Sequence, residues 1–216
     1  EYSTWLRLCL KWKERYPTIL PEYHEQKDSV NPYVFIEALS KKLPANAIII
    51  TDLGGNTVWT MQTFKVKEGQ RLFSAMGHGP MGYVMPAAIG AAFAAPESPI
   101  ICVSGDGGFQ VNIQELQTIK HYNLPIKVFV LNNRSYGIIK QFQEIYFDGS
   151  YQATVEKTGY TVPDLKKITR AYGIRAERIR NHSEIDKKIT GILKAGSPVI
   201  CDIILDESQK LVPKLV

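Results

Sequence analysis

Ile100-Ile101-Cys102-Val103-Ser104-Gly105-Asp106-Gly107-Gly108, followed downstream by Ile126-Lys127-Val128-Phe129-Val130-Leu131-Asn132-Asn133, is the pair of segments on which the fold is read. Each is a mostly apolar run that stops abruptly at a polar turn, as expected of strands buried on both faces of a parallel sheet. Twenty-four residues lie between Gly107 and Asn132. That is room for one helix and one returning strand, so the two turns should be neighbours in space. Working outward, Ala47 to Thr51 is another apolar run, closed by the turn Leu53-Gly54-Gly55-Asn56. Residues 82 to 95, rich in Ala and Gly with Pro86 near the first turn, predict a closely packed helix. Further helices are predicted over Asn112 to Tyr122, Gly137 to Gln143, Asp164 to Tyr172 and Ser183 to Ala195. A polar loop precedes Asp164, and strands are predicted at Arg175 to Ile179 and Val199 to Leu205. Strands alternating with helices imply an α/β, doubly wound, mainly parallel sheet with helices on both faces.

The domain proper is predicted to span residues 31–216. It opens at Asn31-Pro32, a good N-cap followed by the residue favoured at the first helical position, with Val34, Phe35, Ala38 and Leu39 on one helix face. Residues 1–30 differ. Trp5, Leu8 and Trp12 stand at helical spacing before Tyr16-Pro17 and Pro21 break the pattern. This stretch reads as a short helix and linker, the tail of a preceding domain, and the chain as part of a longer protein.

Composition narrows the function. Apolar residues are 44% and charged residues 22% of the chain, which suits a packed soluble core. No apolar run approaches the roughly 20 residues that cross a bilayer, so no membrane partner is expected. The formal net charge is +5, but the basic residues are scattered, and nucleic-acid binding usually needs a basic stripe. Cys9, Cys102 and Cys201 lie far apart, without metal-ligand or disulfide spacing. Cys102 and Cys201 sit in apolar runs, where a thiol behaves as a small core residue. A reducing, cytoplasmic compartment is the expectation.

In a parallel sheet ligands bind beyond the carboxyl ends of the strands, where both polar turns fall. Glycines let backbone N–H groups approach phosphate oxygens without a Cβ in the way, and a helix after Gly108 would aim its N-terminus at an anion. Asp106 offers a carboxylate and Asn133 an amide oxygen, the hard ligands that Mg²⁺ combines with phosphate and water. Either turn alone is a common structural turn; the two together, each ending a buried strand at this separation, point to a bound diphosphate with a divalent cation. No Gly-x-Gly-x-x-Gly opens a helix, which disfavours a dinucleotide site.

The pair Gly105-Asp106-Gly107 and Asn132-Asn133 resembles the diphosphate-binding motif of thiamine diphosphate (ThDP) enzymes. The likeness extends over nearly the whole chain to the acetolactate synthase branch. Thr51 to Trp59 is similar to that branch's first phosphate-side turn, and Gly77-His78-Gly79-Pro80-Met81-Gly82-Tyr83 with Pro86 to Gly90 is similar to its glycine–Met segment. Asn132 to Gln143 is similar to its metal-side turn and helix, and Val199 to Leu205 with Val212-Pro213 to its last strand and tail.

The resemblance implies ThDP and Mg²⁺ as cofactors. The Asp106 and Asn133 side chains and the Ser135 carbonyl would hold Mg²⁺, and Gly55, Asn56, Gly105, Gly107 and Gly108 would surround the diphosphate. Tyr136 and Gly137 would complete the cofactor site. Met81 would wedge between the two cofactor rings, and the Gly79 carbonyl would accept a hydrogen bond from the pyrimidine amino group; Met81 as plain core filler is the competing reading. The activating glutamate would come from a pyrimidine-binding domain on a partner subunit in a homodimer or homotetramer. This chain alone is therefore expected to be inactive. The chain departs from the family's usual Gln-His at Gly55-Asn56, and from its usual Gln and Trp at Tyr136 and Phe142, near the substrate mouth. His78 could face substrate, although a solvent or core role is commoner; His24, His121 and His182 read as surface residues.

The implied reaction decarboxylates pyruvate and transfers the two-carbon unit to a 2-oxo acid, a step of branched-chain amino acid biosynthesis. A keto-sugar carboligase, a 2-oxo-acid decarboxylase or oxidase, and a non-catalytic oligomerisation module remain alternatives. So does a requirement for FAD in the full-length enzyme.

Overall fold

The computed structural model describes residues 2–212, so Glu1 and the Pro213 of the family-like tail lie outside the described residues. In chain order the elements are α1 (Ser3–Arg15), α2 (Pro32–Lys42), β1 (Ile48–Thr51), α3 (Gly55–Thr63), β2 (Arg71–Phe73), α4 (Val84–Ala94), β3 (Ile100–Gly105), α5 (Asp106–Val111), α6 (Glu115–His121), β4 (Lys127–Asn132), α7 (Gly137–Tyr146), α8 (Leu165–Ala171), β5 (Arg175–Ile179), α9 (Ile185–Leu193) and β6 (Val199–Ile204). The six strands form one sheet in the order β2-β1-β3-β4-β6-β5, and every pairing is parallel.

The apolar runs are buried on both faces, as the sequence predicts. Ile49, Ile101, Val103, Phe129, Leu131, Cys201 and Ile203 face one core, covered by α2, α3 and α9. The alternate residues Ile48, Ile50, Cys102, Val128, Val130 and Ile200 face the other, covered by α4, α5, α6 and α8. Burial raises both the Cys102 and Cys201 thiol pKa values, so they act as small core residues. Lys127 is the exception in its strand. It is buried, and its Nζ donates to the carbonyls of Ala195 (2.7 Å) and Ser197 (2.6 Å) behind α9. Burial lowers its pKa to about 8. This lies at the amino end of the sheet, away from the polar turns.

The opening of α2 follows its sequence signal: the Asn31 side chain accepts from the Tyr33 N–H at 3.0 Å, and Pro32 occupies the first turn. By contrast α1 buries none of its residues, and Trp5 packs edge-on against Trp12 with ring centroids 5.9 Å apart. Between these helices Ile19 and Tyr23 pack against the core.

Several elements differ from the sequence reading. β2 was not predicted; it is a three-residue edge strand with an exposed first residue, too short to show a pattern. The Gly54 turn leads directly into α3. The predicted helix over 112–122 is α6, but a separate short helix, α5, precedes it, starting at Asp106 itself and stopping at Asn112. There the Asn112 side chain donates to the Gly82 carbonyl at 2.9 Å instead of continuing the helix. Asp106 to Gly108 thus form a first helical turn, not a loop ahead of a helix.

His24 and His121 are exposed, but His182 is a correction. It is half-buried, its Nε2 accepts from the Asn31 N–H at 2.9 Å, and its Nδ1 lies 3.3 Å from the His24 carbonyl. Only the neutral ring can accept at one nitrogen and donate at the other. Burial, the largest cause, holds its pKa below the ordinary 6.5. A depressed folded-state pKa gives stabilisation that is complete above 6.5 and is lost as pH falls through the lower folded value. His182→Ala should therefore cost about 1 kcal/mol at pH 8, and the deficit should shrink towards pH 5. Urea unfolding of both proteins at the two pH values checks this.

Candidate functional site

The carboxyl ends of β1, β3 and β4 lie side by side, because Ile50 pairs with Cys102 and Gly105 with Leu131 in the parallel register. Three helices start there: α3 at Gly55, α5 at Asp106 and α7 at Gly137. Their first residues line one cavity, together with Leu53, Met81, Asn133, Ser135, Tyr136 and, from the C-terminal segment, Gln209 and Leu211. Helix starts carry unpaired N–H groups and partial positive charge, so the cavity floor favours an anion.

Asp106 is almost fully buried. Its Oδ1 accepts from the Gly107 N–H (2.7 Å) and the Tyr160 hydroxyl (2.9 Å), and its Oδ2 from the Arg134 N–H (2.7 Å). The last bond joins the two turns directly, which the sequence spacing anticipates. Immediately after this bond the chain turns at Arg134, whose φ is 52°, a left-handed conformation uncommon outside glycine and often found at functional sites. Burial pushes the Asp106 pKa up to about 6, against the lowering effect of these donors. A cation beside it would restore the carboxylate. The Gly107 N–H is turned back onto Asp106, so of the two glycine N–H groups Gly108 is the one left to face an anion.

The glycines are there because side chains crowd them. A Cβ at Gly107 would sit 2.5 Å from the Tyr136 ring and 3.0 Å from the Met81 methyl, and one at Gly137 would sit 2.6 Å from the Asn133 amide. Met81 therefore overhangs the start of α5, half-buried at the cavity wall. The Ser135 hydroxyl is buried with no hydrogen-bond partner, and among the described residues the Asn133 side chain makes no hydrogen bond. One carboxylate, an amide and an unspent hydroxyl suit a hard cation shared with an oxyanion. Among the described residues no cluster of three or more His, Cys, Asp or Glu could hold a metal by itself, so a soft-metal or all-protein site is not offered. Asp106, Gly107, Gly108, Asn133, Ser135, Tyr136, Gly137, Gly55, Asn56, Gly105 and Met81 all line the cavity. Gly79 does not, although its neighbour Leu53 does: a Cβ at Gly79 would lie 2.8 Å from the Leu53 side chain. His78 is solvent-exposed.

Two residues escaped the sequence reading. Tyr160, from the stretch taken as a polar loop, reaches Asp106 from 54 positions away and stacks obliquely on Tyr136 at 4.2 Å. Asp52 is the other. Its Oδ2 accepts from the Gly82 N–H (3.0 Å) and the Ser104 hydroxyl (3.3 Å), and its Oδ1 from the Tyr83 N–H (3.1 Å). Asp52 thereby ties the end of β1 to the segment carrying Met81 and to the start of α4. Burial raises its pKa, with the backbone donors opposing. An acidic residue two places ahead of Gly54-Gly55 was the available signal.

A profile of the family described as "Thiamine pyrophosphate enzyme, C-terminal TPP binding domain" matches residues 52–203. The chain is 37% identical to an acetolactate synthase large subunit of Cyanidium caldarium over 99% of this chain and 35% of that protein. It is 36% identical to that of Pyropia yezoensis over 97% and 34%, respectively. A probable acetolactate synthase large subunit of Methanococcus aeolicus is 39% identical over 77% of this chain and 27% of the relative. The chain thus spans about a third of the length of the curated relatives it matches.

Replacing Asp52 by Asn turns one acceptor end into a donor facing an N–H group. Asp52→Asn should destabilise the fold by about 2 kcal/mol, measured as a lower denaturant midpoint at pH 7. An unchanged midpoint would show that the Asp52 bonds do not hold the Met81 segment.

Proposed function

This chain belongs to the family of thiamine pyrophosphate enzymes, as their C-terminal TPP-binding domain, and from that premise we propose that it forms the diphosphate- and Mg²⁺-binding part of an acetolactate synthase-like enzyme. The observation that carries the reading is the Asp106 carboxylate joined to the Asn133 turn, at the meeting point of three helix starts. In this reading Asp106, the Asn133 side chain and the Ser135 carbonyl hold Mg²⁺. Backbone N–H groups at Gly108, and at Gly55 and Asn56 opening α3, hold the diphosphate, with Gly105 and Gly107 leaving room beside them. The glycines keep the floor free of Cβ atoms, and Met81 supports the cofactor from the wall. Gly79, outside the cavity lining, presents its carbonyl towards the cofactor amino group.

When bound, thiamine diphosphate supplies the electron sink for decarboxylating a 2-oxo acid. The protein's part is to bind it, orient it and exclude water. The substrates proposed are pyruvate and a second 2-oxo acid, by analogy with relatives named acetolactate synthase large subunit. Tyr136, which lines the cavity, and Phe142, exposed on α7, are proposed to tune the choice of acceptor. Residues 31–216 are proposed as the binding domain and 1–30 as the tail of a preceding one, in a cytoplasmic enzyme; no helix of the described residues is long and apolar enough to cross a membrane. Exposed Ile139, Phe142, Tyr146 and Phe147 on and just beyond α7 support a partner surface over the cavity mouth, where a pyrimidine-binding domain of another subunit would close the site in a homodimer or homotetramer.

In the full-length enzyme, Asp106→Ala is expected to abolish Mg²⁺-dependent ThDP binding in a calorimetric titration, with acetolactate formation from pyruvate lost in parallel. Wild-type affinity in that variant would sink the site assignment. Met81→Ala should separate binding from orientation: ThDP is still bound, but deuterium exchange at C2 of its thiazolium, followed by NMR, slows by tenfold or more. Exchange at the wild-type rate would make Met81 a core residue only.

A further inference from the structure

Tyr160 is almost fully buried, and its hydroxyl has a specific destination. It donates to Asp106 Oδ1 at 2.9 Å, on the oxygen that also takes the Gly107 N–H. A carboxylate oxygen offers about two lone-pair directions. Oδ1 is therefore saturated, whereas Oδ2 takes one donor, the Arg134 N–H, and keeps one direction open. The loop around Tyr160 is itself built against the Asn133 turn. The Tyr136 N–H donates to the Thr154 carbonyl at 3.1 Å, the Thr154 hydroxyl donates to Gln143 Oε1 on α7 at 2.7 Å, and the Tyr160 N–H donates to the Val155 carbonyl at 3.1 Å. The Tyr160 ring also lies against Tyr136, 4.2 Å between centroids.

We propose that Tyr160 is a positioning residue for the metal: by occupying Oδ1 it turns Asp106 so that Oδ2 alone is presented to the divalent cation. This rests on the reading of Asp106 as a Mg²⁺ ligand and adds the residue that orients it. Small octahedral Mg²⁺ tolerates little error in ligand placement, and partners that orient ligands typically change metal affinity 10–100-fold when removed. A carboxylate free to rotate, or to offer both oxygens, would suit a larger cation better. The alternative is a buried tyrosine that merely satisfies its hydroxyl, which predicts a loss of stability without a change in metal affinity.

The test uses the full-length enzyme and its Y160F variant. Mg²⁺ is titrated at fixed ThDP, with cofactor uptake read by calorimetry and by quenching of tryptophan fluorescence, since Trp59 lines the cavity. The expected result is a Mg²⁺ half-saturation raised at least tenfold in Y160F, recovered uptake at saturating Mg²⁺, and a reduced preference for Mg²⁺ over Ca²⁺. Unfolding without cofactor checks that Y160F is folded. If it is not, Y160M, which carries no donor for Oδ1, replaces it with the same expected rise. A folded variant with unchanged Mg²⁺ half-saturation overturns the proposal, whatever its stability. Wild-type enzyme that takes up ThDP with no need of Mg²⁺, or takes up none, overturns the underlying reading of Asp106 and this proposal with it.

Discussion

The structure turns on a buried carboxylate that must be satisfied where three strands end. An isolated charge in that position would be costly, and Asp106 is kept there by donors drawn from three separate stretches of chain: its own helix turn, the Asn-Asn turn, and the loop carrying Tyr160. Each donor constrains its own segment. The Arg134 N–H pins the Asn-Asn turn to Oδ2, and the left-handed Arg134 then turns the chain from β4 towards α7. The Tyr160 hydroxyl fixes the loop that supports Tyr136. The site's geometry and the path of the chain around it are thus one arrangement.

Asp52 repeats the device one strand over. Its Oδ2 would be 1.7 Å from a Cβ at Gly108, so the two carboxylate-bearing strand ends can approach only because that residue is glycine. Gly108 therefore has two uses: it leaves room for Asp52 behind it and an open N–H in front. Ser104, which donates to Asp52, joins the interior of β3 to the same network. A change at Gly108 would be felt first at Asp52 and then, through Gly82 and Tyr83, at the segment carrying Met81.

The sequence disclosed what is local. The runs Ala47 to Thr51, Ile100 to Val103, Ile126 to Leu131 and Val199 to Leu205 read as strands because burial on both faces leaves continuous apolar stretches, and β1, β3, β4 and β6 fall on them within a residue or two. Asp106 and Asn133 could be singled out because each adjoins its strand. What stayed hidden depends on distance along the chain. Nothing around Tyr160 marks it, since its meaning comes from a partner 54 residues away. His182 looked like a surface residue because its partners, Asn31 and His24, lie more than 150 positions upstream. The short α5 ahead of Asn112 was hidden too, since Asn112 sets it apart from α6 by donating to a carbonyl on the Met81 segment.

The cavity's two sides differ in kind, and this bears on how the site works. Its floor is built from short, mutually braced turns: buried carboxylates, glycines hemmed in by neighbouring side chains, and helix starts. Large exposed apolar groups, Leu53, Tyr136 and Ile139, line its open side. Fixed polar groups below and uncovered apolar groups above are what a site needs if it grips the charged end of a ligand by itself and leaves the other end to a second surface. The division assigns binding strength to this domain's floor and enclosure to whatever covers the mouth. A floor braced in this way can hold the diphosphate while the cover, and with it the shape offered to substrates, is free to differ between related enzymes.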